Sequence, residues 1–200
     1  MILYLHGFRS SPKSFKASLL AREMEQRGLQ DRWVCPQLPA SPARAIALAN
    51  RLIEQARDDG LDPETELVVI GSSLGGYYAN HLAEHWRCRA VVLNPAIYPT
   101  RSLADQTGTH TLYHSDDSFE FRPEYLDELA ELATGKPARP ERYYLLACKG
   151  DEVLDWRDMA DWYAGSQGRI LDGGDHGISD FERWMPDVLD FVLATDHTQS

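Results

Sequence analysis

Positive charge is scarce in this chain. Twenty Lys+Arg face 31 Asp+Glu, a formal net charge of −11 over 200 residues. So acidic a chain repels the phosphate backbone that nucleic-acid binders must neutralise, which excludes DNA and RNA as expected partners. The shortage is uneven: residues 1–57 carry nine basic against four acidic side chains, and residues 58–200 eleven against twenty-seven. An anionic ligand is therefore expected to favour the N-terminal third. Cysteine is scarce too. Cys35, Cys88 and Cys148 are odd in number and widely spaced, which makes neither a zinc pattern nor a complete disulfide set and points to a reducing, cytoplasmic setting. No apolar run approaches the roughly 18 residues of a membrane helix. The opening Met1-Ile2-Leu3-Tyr4-Leu5 has neither the basic region nor the apolar length of a secretion signal. Repeats and low-complexity segments are lacking as well. What is present is a composition of 43% apolar and 26% charged side chains, which fits one ordinary globular domain with a substantial core.

Six short apolar runs, rich in β-branched or aromatic residues and ending in turn residues, read as strands: Ile2–Leu5, Trp33–Cys35, Leu67–Ile70, Ala90–Leu93, Tyr143–Ala147 and Arg169–Leu171. Most are separated by segments with apolar residues at helical spacing, the sequence form of a parallel sheet covered on both faces. One helix is expected from about Ser11, with Pro12 at its first position and Gly28 as its stop. A second is expected after Ser41-Pro42, ending at Gly60, and a third after Ser73. In the third, Gly75, Ala79 and Ala83 form a small-residue ridge suited to close approach to the sheet. Between Pro99 and Pro140 the alternation breaks down into an irregular polar stretch, Asp105 to Asp117, and a short helix, Pro123 to Leu132. This strandless stretch reads as a small cap inserted within the single domain 1–200. A helix around Asp155–Tyr163 and a terminal helix with Pro186 in its first turn complete the pattern, with a frayed tail at Thr195–Ser200.

The run Leu67–Ile70 leads into Gly71-Ser72-Ser73-Leu74-Gly75-Gly76, a G-x-S-x-G placed between strand and helix. A serine at such a turn takes a strained conformation, with small residues needed two before and two after it. Its hydroxyl then stands at a helix N-terminus, where negative charge is favoured. Ser73 is the candidate nucleophile. A hydroxyl is weakly nucleophilic until an imidazole takes its proton. Of the seven histidines, His176 in Gly173-Gly174-Asp175-His176-Gly177 follows the last strand, at the same sheet edge as Ser73. His6 ends the first strand and could also reach, although a His-Gly turn more often serves packing. His81 and His85 lie along a helix, His110 and His114 in the cap, and His197 in the tail. The imidazole needs a carboxylate to fix its tautomer. Asp151, after strand Tyr143–Ala147, supplies one, in the chain order Ser, Asp, His. Asp155, a helix cap, and Asp175, beside the histidine, are lesser candidates. A tetrahedral oxyanion needs two donors, for which the amides of Leu74 and Phe8 are placed. A competing motif, His81-Leu82-Ala83-Glu84-His85, matches the zinc-peptidase spacing H-x-x-E-H, without an obvious third ligand.

With these residues in place the chain resembles an α/β-hydrolase, and more narrowly the small bacterial YqiA-type esterases. The blocks that carry the likeness are Ile2-Leu3-Tyr4-Leu5-His6-Gly7-Phe8, Gly71-Ser72-Ser73-Leu74-Gly75-Gly76-Tyr77-Tyr78, Leu93-Asn94-Pro95-Ala96, Gly150-Asp151-Glu152-Val153-Leu154-Asp155 and Gly173-Gly174-Asp175-His176. The resemblance implies a Ser/His/Asp esterase of short-to-medium acyl esters, its motif positions falling on Ser73, Asp151 and His176, without metal or organic cofactor. It also implies a compact α/β fold: a six-stranded, mostly parallel sheet in the order 2-1-3-4-5-6, lacking the two antiparallel edge strands of larger members. The match is weakest in the cap, so the substrate is the least transferable inference. An acyl-CoA thioesterase is the near alternative, since Arg9, Lys13 and Lys16 could meet CoA phosphates. A binding protein that keeps the fold without turnover is the rival from another class.

Overall fold

The computed structural model of the protein describes residues 1–113 and 118–194. His114, His197 and the tail Thr195–Ser200 lie outside the described residues. The strands are β1 (Ile2–Leu5), β2 (Trp33–Val34), β3 (Val68–Ser72), β4 (Arg89–Leu93), β5 (Gly108–Thr111), β6 (Ser118–Phe121), β7 (Tyr143–Cys148) and β8 (Gln167–Leu171). The helices are α1 (Phe15–Gln26), α2 (Pro42–Asp58), α3 (Pro63–Glu66), α4 (Leu74–Trp86), α5 (Pro99–Ser102), α6 (Glu124–Glu131), α7 (Trp156–Trp162) and α8 (Phe181–Leu193). Six strands form one sheet in the order β2-β1-β3-β4-β7-β8, every neighbouring pair parallel. Counted among themselves these six follow the expected order; in detail the strand list differs by β5 and β6, which form a separate antiparallel hairpin.

Alternate residues along each strand feed two different cores. Ile2 and Tyr4, Val68 and Ile70, and Tyr144, Leu146 and Cys148 pack with Leu20 and Met24 of α1 and Phe181 and Val188 of α8. Leu3 and Leu5, Val69, and Leu145 and Ala147 pack with Ile46 and Ile53 of α2 and Ala79 and Leu82 of α4. Burial on both faces is why these strands read as continuous apolar runs rather than as alternating ones. Among the described residues no helix is long and apolar enough to cross a membrane.

Three expectations are corrected. Helix α1 starts at Phe15 rather than near Ser11, because Ser11 builds a separate turn: its hydroxyl accepts from the Lys13 N–H and its carbonyl from the Ser14 N–H. Pro186 sits in the second turn of α8, not the first. The helix begins earlier because Phe181, fully buried, is anchored by its N–H to the Ile178 carbonyl. The 99–140 segment is not strandless, since His110 pairs with Phe119 and Gly108 with Phe121 across the hairpin. Four-residue strands with mostly exposed side chains carry too weak an alternation to register in sequence.

The ridge on α4 does what its small residues suggest. A Cβ at Gly75 would lie 2.0 Å from the Leu5 carbonyl oxygen, so helix and strand touch backbone to backbone. Gly75→Ala is expected to lower unfolding free energy by on the order of 3 kcal/mol through overpacking, read as a lower urea midpoint; an unchanged midpoint would contradict this packing.

Candidate active site

Ser73 follows β3 and precedes α4 with φ 56° and ψ −121°, a backbone conformation costly for a side-chain-bearing residue. It is held there by its N–H bonded to the Leu93 carbonyl at 3.0 Å and its carbonyl accepting from Gly76 at 2.9 Å and Ala96 at 3.0 Å. The turn is so tight that a Cβ on Gly71 would stand 2.1 Å from the Gly75 oxygen. Its hydroxyl Oγ lies 2.9 Å from His176 Nε2, and His176 Nδ1 lies 2.8 Å from Asp151 Oδ2. The Asp151 side chain is wholly buried, and its other oxygen accepts the N–H groups of Val153 and Leu154, each at 2.8 Å. A buried carboxylate oxygen without such donors would be costly. The hydrogen-bonded chain can pass a proton from hydroxyl to imidazole while the carboxylate holds the ring.

The loop after β1 closes the other side. A Cβ on Gly7 would come 3.1 Å from the Ser73 Cβ, so Gly7-Phe8 runs directly beside the serine. A cavity of about 430 Å³ is lined by Ser73, Leu74, His176, Phe8 and the buried Lys16. At its rim stand Phe15, Tyr113 and Val153, which are among the few large exposed apolar side chains. A second cavity of about 260 Å³ shares Gly7, Phe8, Ser10 and Leu74 with the first.

The remaining candidates are used otherwise. His6 is buried, its Nδ1–H donating to the Gly7 carbonyl and its Nε2 accepting from the Leu38 N–H at 3.0 Å. Both nitrogens are thus engaged, and burial lowers its pKa below the ordinary 6.5. Asp155 caps α7 by accepting from the Arg157 N–H, and Asp175 accepts from Ser179. In the zinc-like motif, His81 Nδ1 donates to the Leu132 carbonyl and Glu84 accepts from the Tyr143 hydroxyl at 2.5 Å. Among the described residues no cluster of three or more His, Cys, Asp or Glu is placed to hold a metal ion. Of the three basic residues considered for phosphate contact, Lys13 is exposed, Arg9 is engaged by Thr111, and Lys16 donates to the Gly177 carbonyl. Burial pulls the Lys16 pKa down to about 8, against the attraction of Asp175.

The pattern of an uncharacterised protein family, UPF0227, runs along residues 1–193. The chain belongs to that family. It is the YqiA-type family that the sequence motifs resemble. Solved structures share the α/β-hydrolase fold at low identity. A hydrolase from Agrobacterium vitis S4, described as putative in its own report, is 15% identical with TM-score 0.73, over 96% of this chain and 87% of that one. The alpha/beta hydrolase domain-containing protein 10 from mouse is 17% identical with TM-score 0.66, over 94% and 89%. The Pyrococcus furiosus esterase Pf2001 is 16% identical with TM-score 0.65, over 96% and 80%.

Sequence reasoning missed three residues in this UPF0227 protein that hold His176. Asn94, buried after β4 with φ 40°, accepts the Cys148 N–H at 2.8 Å and donates to the carbonyls of Asp175 and His176 at 3.0 and 3.1 Å. Glu152 accepts the His176 N–H at 3.0 Å, and Lys16 holds the next residue through the Gly177 carbonyl. The block Leu93-Asn94-Pro95-Ala96 was visible; only the fold shows that Asn94 joins the end of β7 to the loop that carries His176. Asn94→Ala leaves buried partners unpaired and is expected to cost on the order of 2 kcal/mol or more of stability, measured by urea unfolding. His6 gives a pH signature. Because its folded pKa lies below 6.5, the neutral ring's contribution is complete above about 6.5 and drains away as pH falls through the lowered folded value. The melting temperature should therefore fall less steeply with acidification in His6→Gln than in the wild type; parallel curves would remove His6 from the pH response.

Proposed function

We propose that the protein is a serine hydrolase that cleaves short-to-medium acyl esters of small molecules through an acyl-enzyme. The observation that carries this reading is the unbroken hydrogen-bonded chain from Ser73 Oγ through His176 to Asp151, at 2.9 and 2.8 Å. Ser73 Oγ attacks the acyl carbonyl as its proton passes to His176 Nε2, forming the carbon–oxygen bond. Asp151 orients the ring and stabilises its cationic form. The N–H groups of Phe8 and Leu74 receive the oxyanion, aided by the N-terminus of α4. Collapse breaks the bond to the alcohol, which leaves with the proton from His176. Water then attacks the acyl-serine, giving its proton to the same nitrogen, and the carboxylic acid departs as Ser73 regains its own. No step calls on a metal or an organic cofactor.

Two further observations favour an acyl substrate. The cavity at Ser73 has an apolar rim of Phe15, Tyr113 and Val153, suited to hydrocarbon rather than to highly charged ligands. A structural neighbour from Pyrococcus furiosus is named as an esterase. The segment 99–140 then serves as the cap over this single hydrolase domain, its Phe119 and Phe121 packed edge-on against Phe8.

The test is hydrolysis of p-nitrophenyl butyrate together with labelling by a fluorophosphonate probe. Ser73→Ala should lose labelling and at least about 10³-fold in kcat, and Asp151→Asn on the order of 10⁴-fold through the wrong imidazole tautomer. Wild-type turnover in Ser73→Ala would exclude Ser73 as the nucleophile. A folded wild type that neither labels nor turns over would favour a binding protein.

A further inference from the structure

Strand β1 ends at Leu5, so contacts beyond the sheet ladder set the position of the Phe8 N–H. On one side His6 ties the loop to Leu38. On the other stands Arg9, a non-glycine residue at φ 59°, a conformation that persists where the surroundings over-determine it. Its Nε donates to the Thr111 carbonyl at 3.0 Å, and a terminal nitrogen reaches the Thr111 hydroxyl at 3.5 Å. Its guanidinium lies 4.7 Å from the centre of the Tyr113 ring, while its own carbonyl accepts the Tyr113 N–H at 2.9 Å. Side chain and backbone of one residue therefore grip the same edge of the β5–β6 hairpin. The Phe8 ring is seated on that hairpin too, edge-on to His110, Phe119 and Phe121 at 5.2–5.4 Å.

We propose that Arg9 is a positioning residue for acyl transfer: it clamps the loop after β1 to the hairpin and so holds the Phe8 N–H where the oxyanion forms. This rests on the reading of Ser73 as the nucleophile. A donor that serves the oxyanion acts mainly in the transition state, so losing its placement lowers kcat and leaves KM largely alone. A shift of about 1 Å at such a group can cost up to about 10²-fold.

The experiment uses the full-length protein with p-nitrophenyl butyrate, and with an alkyl trifluoromethyl ketone, whose adduct with a serine places a negative oxygen between the same donors. Arg9→Met should lower kcat about 10- to 100-fold with KM within about twofold, and raise the ketone Ki by a similar factor. Arg9→Lys, which keeps the charge but not the planar fork, should fall between. A folded Arg9→Met with kcat within about twofold of wild type overturns the proposal. So does a fall in kcat with unchanged ketone Ki. A raised KM at normal kcat also overturns it and makes Arg9 a direct substrate contact. If Arg9→Met does not fold, Arg9→Lys is judged by the same criteria. A wild type without esterase activity or labelling at Ser73 removes the nucleophile reading, and this proposal with it; an active, labelled wild type beside an unaffected Arg9→Met removes the clamp alone.

Discussion

The backbone of Ser73, turned to φ 56° between β3 and α4, is the constraint on which the rest of the site depends. Such a conformation costs roughly 1–3 kcal/mol in isolation, and the surrounding backbone has to supply it. One N–H and one carbonyl of Ser73 make three hydrogen bonds to Leu93, Gly76 and Ala96, which crosslink the turn to the end of β4. The same turn leaves no room for a Cβ at Gly71 or Gly75. The side chain of Ser73 is thereby projected away from the sheet with little freedom left, at the N-terminus of a 13-residue helix. A hydroxyl presented in this way needs only a partner above it, and the parallel sheet provides the means.

In a parallel sheet every loop that follows a strand leaves from the same edge. Phe8, Ser73, Asn94, Asp151 and His176 follow β1, β3, β4, β7 and β8 respectively, so residues up to 168 positions apart share one rim. Convergence at a rim does not by itself give hydrogen-bond distances. Two loops are locked together first. The Gly150 N–H bonds the Gly173 carbonyl at 2.9 Å, and a Cβ at Gly150 would sit 2.3 Å from the Gly174 oxygen. Asn94 then stitches that pair to the centre of the sheet through one acceptor and two donor contacts. Asp151 completes the frame by accepting from its own loop and from the ring at once. The imidazole keeps some exposure while its Asp151 partner has none, and it is held from behind.

How much of this the sequence disclosed follows from how local each signal is. Strands buried on both faces announce themselves as apolar runs, and the β3 turn does so through obligatory small residues; fold class and the positions of Ser73, Asp151 and His176 could be read from such local patterns, whereas the sheet order came with the family resemblance. Their mutual approach could not, since it depends on chain segments brought together only by the fold. Asn94 illustrates the limit: an asparagine after a strand reads as an ordinary turn residue, and its three partners lie more than 50 residues away. The hairpin was illegible for a different reason. Its inward face consists of little more than His110, Phe119 and Phe121, with Gly108, Thr109 and Thr111 exposed, and those three rings pack on Phe8. The α1 start failed because two serines, Ser11 and Ser14, offer equivalent capping chemistry and the choice between them is made by a turn.

His81 and Glu84 of the H-x-x-E-H spacing on α4 belong to a polar face that meets the end of α6 and the chain beyond it. Helix α6 ends against α4, and the last carbonyls of a helix lack intrahelical donors. Positions 77, 80 and 81 of α4 lie three and four residues apart, on one helical face, and each carries a donor. The Tyr77 hydroxyl donates to the Leu129 carbonyl at 2.6 Å, His81 Nδ1 to the Leu132 carbonyl at 2.9 Å, and the Asn80 amide to Thr134 Oγ1 and the Gly135 carbonyl. Glu84, one turn on, accepts the Ala138 N–H and the Tyr143 hydroxyl. A face built to terminate another helix thus needs polar groups at the same i, i+3, i+4 intervals as a face built to hold zinc, and spacing alone cannot separate the two. The distinction lies in what those groups meet: here Tyr77, Asn80 and His81 donate to carbonyls at and beyond the end of α6, and Glu84 accepts from an amide and a hydroxyl. The consequence is architectural. One helix carries Ser73 at its start and the anchorage of the 124–138 stretch along its length, so the two are referenced to a single helix rather than to separate loops.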